Sequence, residues 1–287
     1  MSFAEGSYGC VYKPGFKCNK AESNNVSKVV NNKYAQQEIV MSNLIRDIPK
    51  YKDYFVPVES WCEIDSSRVE SCNALRSAST FMVLNIPFKK TVDIDFTLVS
   101  FRSLLPHLTK LCQADIVHFD LTLHNILFTP APLIIDFGIS MHMTNLNVKN
   151  SFYMYNPQQY EWPIDVHLLC HLVRKPILTK EALTTVVQEV YRQSPVLNMR
   201  SVPACVKHYS YILNGVDPIQ RLLLGWKTWD LYALAVMLHV NTGLTLSPCV
   251  RHDPSKRPSV LDVEKLINKI EINKKMSGVV KKPWVKI

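Results

Sequence analysis

The stretch from His118 to Ser140, HFDLTLHNILFTPAPLIIDFGIS, constrains this chain more than any other. Asp120 and Asn125 stand five residues apart, and Asp136 follows eleven residues after Asn125. Between them lie two short apolar runs, NILFT and LIIDFG, joined by a Pro-containing turn. Such runs around such a turn predict two short paired strands. A hairpin of that length returns Asp136 to the side of Asn125. The spacing therefore gathers three oxygen-bearing side chains into one site, which an arbitrary Asp–Asn–Asp trio would not do.

The chain has 287 residues, enough for a sizeable core in one large domain or two modest ones. Its hydrophobic fraction of 47% and charged fraction of 20% exclude a disordered chain. No apolar run approaches the roughly 20 residues of a spanning helix. The opening MSFAEGSYGCVYKPG lacks the basic-then-apolar pattern of a signal peptide, so the expectation is an intracellular protein, not a secreted one. Cysteines at 10, 18, 62, 72, 112, 170, 205 and 249 include no CxxC pair. In a chain this long the expectation is reduced, mostly buried thiols without a zinc site. The net charge is +9, and the last twenty residues hold six lysines against one glutamate. The end of that stretch, 274–287, reads as a basic, solvated, solubilising tail. No interleaving of aromatic and basic residues points to nucleic acid.

The order of patterns predicts an α+β chain in two parts. Residues 1–87 read as strand-rich with one helix, NKYAQQEIVMSNLIRDIP, whose Ala35, Ile39, Val40, Leu44 and Ile45 recur at helical spacing before a proline. STFMVLNIP reads as a buried strand ending at Pro87, and a linker is expected near 85–90. Residues 88–287 read as mainly helical. A long periodic segment there is expected to kink or break at Pro106, and further helices are expected at EALTTVVQEVYRQ, WDLYALAVMLHVN and SVLDVEKLINKI.

Phosphoryl transfer from a nucleotide requires held phosphates, clamped metal ions and an oriented acceptor hydroxyl. Asp136 and Asn125 supply the hard oxygen ligands that a phosphate-bound metal prefers, and Asp120 would meet the hydroxyl. HFDLTLHN resembles the protein-kinase catalytic loop H-R-D-L-x-x-x-N, and DFG at Asp136 is similar to that family's metal-binding triplet. The resemblance extends from about Ala4 to about Leu266 and implies a bilobal protein-kinase-like fold. It implies Asp120 as catalytic base, with Asn125 and Asp136 binding Mg²⁺, or Mn²⁺ in its place. AEGSYGCVY resembles the Gly-rich loop, with Ala4 at its first glycine position and Gly6 and Gly9 at the second and third. Ala4, Gly6, Ser7, Gly9 and Val11 would then cover ATP, Val11 above the adenine. Lys28 in NVSKVV best matches the strand lysine that grips the phosphates, with Lys17, Lys20 and Lys33 as rivals, and Glu38 would be its helix partner. Leu84, Asn85 and Ile86 would border the nucleotide between the lobes. WDLYALAVML resembles the helix that anchors the catalytic loop through Asp230, and RHDPSKRPS the D-P-x-x-R-P-S pattern whose Arg257 pairs with a buried carboxylate. Here Asp165 of WPID takes the place of the usual A-P-E glutamate.

Three departures qualify the resemblance. Phe119 replaces the arginine that binds a phosphorylated activation segment, so activity is expected to be independent of phosphorylation at Thr144, Ser151 or Tyr153. Thr122 replaces the lysine that steadies the γ-phosphate, a feature similar to atypical RIO-like kinases, and His124 is expected to face solvent. Residues 166–227 read as an insertion. GSYGCVYKPGFKC, the short spacing from Lys28 to Glu38 and LNIP at the linker resemble the divergent Ser/Thr kinases of large nucleocytoplasmic DNA viruses, of iridovirus or mimivirus type. The resemblance implies transfer to Ser/Thr of protein substrates, acidic ones included. A pseudokinase scaffold and a RIO-like or small-molecule kinase are the alternatives.

Overall fold

The computed structural model describes residues 4–6, 9–16, 18, 25–69, 72, 75, 80–176 and 179–276. Strands β1 (Ala4–Gly6), β2 (Gly9–Tyr12), β3 (Asn25–Val30), β4 (Ser60–Asp65) and β5 (Thr80–Pro87) form one antiparallel sheet in the order β1-β2-β3-β5-β4. Helix α1 (Asn32–Arg46) follows β3 and crosses one face of that sheet. The protein is thus α+β, with a small five-stranded sheet leading into a mainly helical remainder.

Strand alternation sorts the sheet's side chains. Val11, Lys28 and Leu84 face one another across β2, β3 and β5. On this face Val30 and Leu84 pack with Ala35 and Ile39 of α1 and with Val58. The opposite face gathers Cys10, Val29, Val83, Ile64 and Phe81.

That second face carries two disulfides, Cys10–Cys72 and Cys18–Cys62. The expectation of reduced thiols is therefore corrected for these four cysteines. Their separations of 62 and 44 residues give no local signature, and each bond joins a strand cysteine, Cys10 of β2 or Cys62 of β4, to one outside the strands. Cys112, Cys170, Cys205 and Cys249 are free thiols. Burial pushes each of them up to about 12, which leaves little thiolate for exchange.

Beyond the sheet, α2 (Leu98–Gln113) opens on a capping box between Thr97 and Ser100 and runs unbroken through Pro106. The expected boundary at Pro106 is absent. Its ring lies on the exposed side, where solvent can replace the missing N–H donor. Next come β6 (Ile116–Val117), the hairpin β7 (Ile126–Phe128) and β8 (Pro132–Ile134), β9 (Met141–His142), which pairs with β6, and the short α3 (Val148–Ser151). The hairpin matches the reading of NILFT and LIIDFG. Helices α4 (Ile164–Arg174), α5 (Lys180–Gln193), α6 (Val202–Leu213), α7 (Pro218–Leu223), α8 (Trp229–Thr242) and α9 (Val260–Met276) complete the described chain. In the 166–227 segment only α5 was expected as a helix. The Pro-containing SPVLNMRSVPACVKH holds the first seven residues of α6, because Pro203 sits in the helix's first turn, where no N–H partner is lost. Residues 277–287 of the basic tail lie outside the described residues.

Helix α8 is the axis of the helical part. Every residue from Trp229 to Leu238 is buried, as an all-round apolar helix requires. One core joins Met41 and Ile45 of α1, Leu104 and Leu111 of α2, Ile126 and Ile134 of the hairpin, Leu234 of α8 and Val263 of α9. The sheet-bearing and helical parts thereby share a core. A second core packs α4 to α7 beneath Phe119, Phe152, Trp162 and Trp229. No described helix is long and apolar enough to cross a membrane.

The cysteine pairing sets a countable outcome. Alkylation of the denatured protein without reductant should label four cysteines, and eight after reduction, read by intact mass. Eight labels without reductant would contradict the pairing.

Candidate active site

The site begins with a buried carboxylate. From the first turn of α8, Asp230 accepts the backbone N–H of His118 at 2.8 Å and of Phe119 at 3.0 Å. These bonds hold a reversal in which Phe119 adopts φ +69°, a region bulky residues rarely enter. The His118 ring is fully buried and pinned at both nitrogens. Its Nδ1 accepts the Asp120 N–H at 3.3 Å, so its Nε2–H donates to the Ile135 carbonyl at 2.9 Å. The loop is thereby tied both to α8 and to the strand that leads to Asp136.

Asn125 closes a short 3₁₀ turn, Leu123–Asn125. Its Nδ2 donates to the Asp120 carbonyl at 2.7 Å and to Asp120 Oδ2 at 2.9 Å. The amide thus fixes the carboxylate's orientation. Burial raises the Asp120 carboxyl above the usual aspartate range, and the Asp136 charge adds to this against His118, Asn125 and Lys28. A raised carboxyl is the better proton acceptor.

Lys28 lies between two acids. Its Nζ is 2.8 Å from Glu38 Oε2 and 2.7 Å from Asp136 Oδ1. Burial alone would lower the lysine, but the two carboxylates outweigh it and its pKa is raised. Burial raises Glu38. Burial also works to raise Asp136, but the Lys28 ammonium overcomes it and holds this carboxyl below the usual range. Asp136 also has positive φ, +62°, and its Oδ1 accepts the Gly138 N–H at 3.2 Å. A Cβ on Gly138 would come within 3.1 Å of Asp136 Oδ1 and 3.3 Å of Glu38 Oε2, so glycine leaves room for the trio. Lys28 is placed here, whereas Lys33 is exposed on the first turn of α1, and Lys17 and Lys20 lie outside the described residues.

Two bonds missed by sequence reasoning fasten α1 over this trio. Gln37 Nε2 donates to the Ser140 carbonyl at 2.8 Å, and Ser140 Oγ donates to the His118 carbonyl at 3.0 Å. Neither residue type at its position carries a recognisable signal.

The Gly-rich segment forms the β1–β2 hairpin, with Gly6 opposite Gly9, Ala4 opposite Val11, and Val11 in turn opposite Lys28. Gly9 is obligatory, because a Cβ there would meet the Val29 carbonyl oxygen at 2.0 Å. Ser7 lies outside the described residues. Of the three residues expected beside the nucleotide, Leu84 and Asn85 are fully buried and Ile86 is half-buried. The Asn85 side chain points to the disulfide face, accepting Ser27 Oγ at 2.5 Å and approaching Cys18 Sγ at 3.2 Å. The structure thus brings Lys28, Glu38, Asp120, Asn125 and Asp136 together, and leaves Leu84 and Asn85 as core and strut.

A metal is testable against the donors present. Lys28 and Gly138 take Asp136 Oδ1, while the side chain keeps 37% of its surface exposed. Asn125 spends its Nδ2 on Asp120, which leaves Oδ1 as its ligand atom. An all-oxygen pair with an open face fits a hard divalent cation of the Mg²⁺ kind.

Below the site, Asp165 and Arg257 form a buried ion pair with side chains at 0% exposure. Arg257 Nη2 donates to Asp165 Oδ1 at 2.6 Å, Trp229 Nε1 donates to Asp165 Oδ2 at 2.6 Å, and Arg257 Nε donates to the Arg251 carbonyl at 2.7 Å. Phe119 occupies no polar site. Its ring stacks on Trp162 at 4.6 Å and meets Phe152 edge-on at 5.7 Å. His124 is exposed, and Thr122 is half-buried.

No protein-family model and no curated protein matches the chain.

Removing one partner of the Asp165–Arg257 pair leaves a buried charge alone. Asp165→Asn should lower the unfolding free energy by about 3–5 kcal/mol, read by urea denaturation. A change within experimental error would show that the pair does not hold α4 against the α8 region.

Proposed function

We propose that this chain is an ATP- and Mg²⁺-dependent protein kinase of bilobal architecture that transfers the γ-phosphate to Ser/Thr of protein substrates. The observation that carries the reading is Lys28 held at 2.8 Å from Glu38 and 2.7 Å from Asp136, beside the Asp120–Asn125 loop. A lysine on a strand, an acid on the adjoining helix and an acid after a hairpin, gathered beside the Asp120–Asn125 loop, support a site that handles a polyanion.

Phosphoryl transfer asks mainly for positioning and charge stabilisation. Lys28 would take phosphate oxygens, with Glu38 keeping its ammonium in place. The β1–β2 hairpin would cover the phosphates with backbone N–H groups. Asn125 and Asp136 would hold Mg²⁺, which neutralises phosphate charge when bound. Asp120, oriented by Asn125, would accept the acceptor hydroxyl's proton. Phe119 in an aromatic setting supports a site that needs no phosphorylated loop.

The test is transfer from labelled ATP with Mg²⁺ to basic and acidic protein substrates. The parent should label serine or threonine, and Asp136→Asn should not. Asp120→Asn should fall roughly 10²- to 10⁴-fold. Phosphatase pretreatment should leave the rate unchanged. Nucleotide binding without any transfer would favour a pseudokinase, and transfer to small molecules alone a small-molecule kinase.

A further inference from the structure

The peptide that links Phe119 to Asp120 is held at both ends. Its N–H, that of Asp120, donates to His118 Nδ1 at 3.3 Å. Its C=O, that of Phe119, accepts the indole N–H of Trp162 at 2.8 Å. The Phe119–Trp162 bond is buried and spans 43 residues, from the loop that bears Asp120 to the segment just before α4. Trp162 also lays its ring on Phe119, with centroids 4.6 Å apart and planes 27° apart. Phe152 and Trp229 close the other sides of the Phe119 ring.

This arrangement answers a specific difficulty. Phe119 has φ +69°, a conformation that a bulky aromatic residue keeps only when its surroundings impose it. Asp230 fixes the N–H side of the residue. Without a partner on the carbonyl side, the 119–120 peptide could rotate, and the Asp120 side chain would rotate with it. Trp162 supplies that partner and is itself well held. Pro163 follows it, and Asp165, two residues further, sits in the ion pair with Arg257.

We infer that Trp162 is a positioning residue for phosphoryl transfer, orienting Asp120 through its hydrogen bond to the Phe119 carbonyl and thereby replacing charge-based ordering of the loop. The inference rests on the kinase reading. It deepens that reading by naming what holds the backbone before the base, alongside the Asn125 amide that orients its carboxylate: a neutral donor and an aromatic stack. It also couples the segment 152–163 to the base. Displacement of that segment by a protein bound against it would be felt at Asp120 without any change at Lys28.

Two variants test it. Trp162→Phe keeps an aromatic ring and deletes the donor. Site-specific replacement of Trp162 by benzothienylalanine keeps the bicyclic shape and deletes only the N–H, so it serves if the phenylalanine variant folds poorly. The expected result is a kcat lower by about ten- to a hundredfold, with KM for ATP within about twofold of the parent. Hydrogen exchange of the 118–125 amides should quicken, while α8 and α4 keep their protection. Parent-like kcat and parent-like loop exchange would overturn the inference. So would a loss of protection throughout the protein in both variants, which would make Trp162 merely structural. If the parent itself transfers no phosphate, the kinase reading falls and this role falls with it. An active parent with equally active variants removes the role of Trp162 alone.

Discussion

The carboxylate of Asp230 is the point from which the rest of the site is built. It lies in the first turn of a helix that is buried all round, and it spends both oxygens on consecutive backbone N–H groups of His118 and Phe119. A buried acid costs desolvation unless it is met by donors, and here burial pushes its carboxyl up while the two N–H groups work against that shift. Because those donors are backbone groups, the acid fixes a chain path. The path then places the His118 ring under Ile135 and Asp120 beside Asn125.

Two kinds of force divide the work above and below that anchor. Above it, charge dominates: Lys28 is shared by Glu38 and Asp136, and the trio joins α1, the sheet and the end of the hairpin. Below it, the contacts are aromatic and neutral, with Phe119 set among Trp162, Phe152 and Trp229. The Asp165–Arg257 pair lies deeper still and fastens α4 to the chain that precedes α9. On the far face of the sheet, two disulfides hold β2 and β4 from the side opposite Lys28. The lysine's strand is therefore held on one face by α1 through Glu38, and on the other by an apolar cluster that includes both disulfides.

What could be read from the sequence follows the range of each interaction. The hairpin between Asn125 and Asp136 was legible because alternation and a proline turn are local signals. Helix α1 and the exposed position of His124 were legible for similar reasons. The pairings of Lys28 with Glu38 and of Arg257 with Asp165 came from matching spaced motifs rather than from periodicity, whereas the Lys28–Asp136 contact was not expected. The disulfides were not legible, since their partners stand 62 and 44 residues apart with no local signature. Helix α6 was hidden by a proline that reads as a breaker but sits in the first turn. Trp162 gave no signal, because its partner is a backbone carbonyl 43 residues away and any residue has a carbonyl. Leu84 and Asn85 lie within β5, where alternation sends Leu84 to the Lys28 face and Asn85 to the disulfide face, a split that only the register shows.

The account's central claim is that Lys28 is the cation of a nucleotide-phosphate site. The most direct measurement uses an ATP derivative whose terminal phosphate carries an activated acyl group, which passes to an amine held against the phosphates. Peptide mass mapping should find the acyl group on Lys28, and excess unmodified ATP with Mg²⁺ should suppress it there and leave surface lysines unaffected. Acylation spread over exposed lysines with none on Lys28, or labelling of Lys28 that ATP does not reduce, would contradict the account.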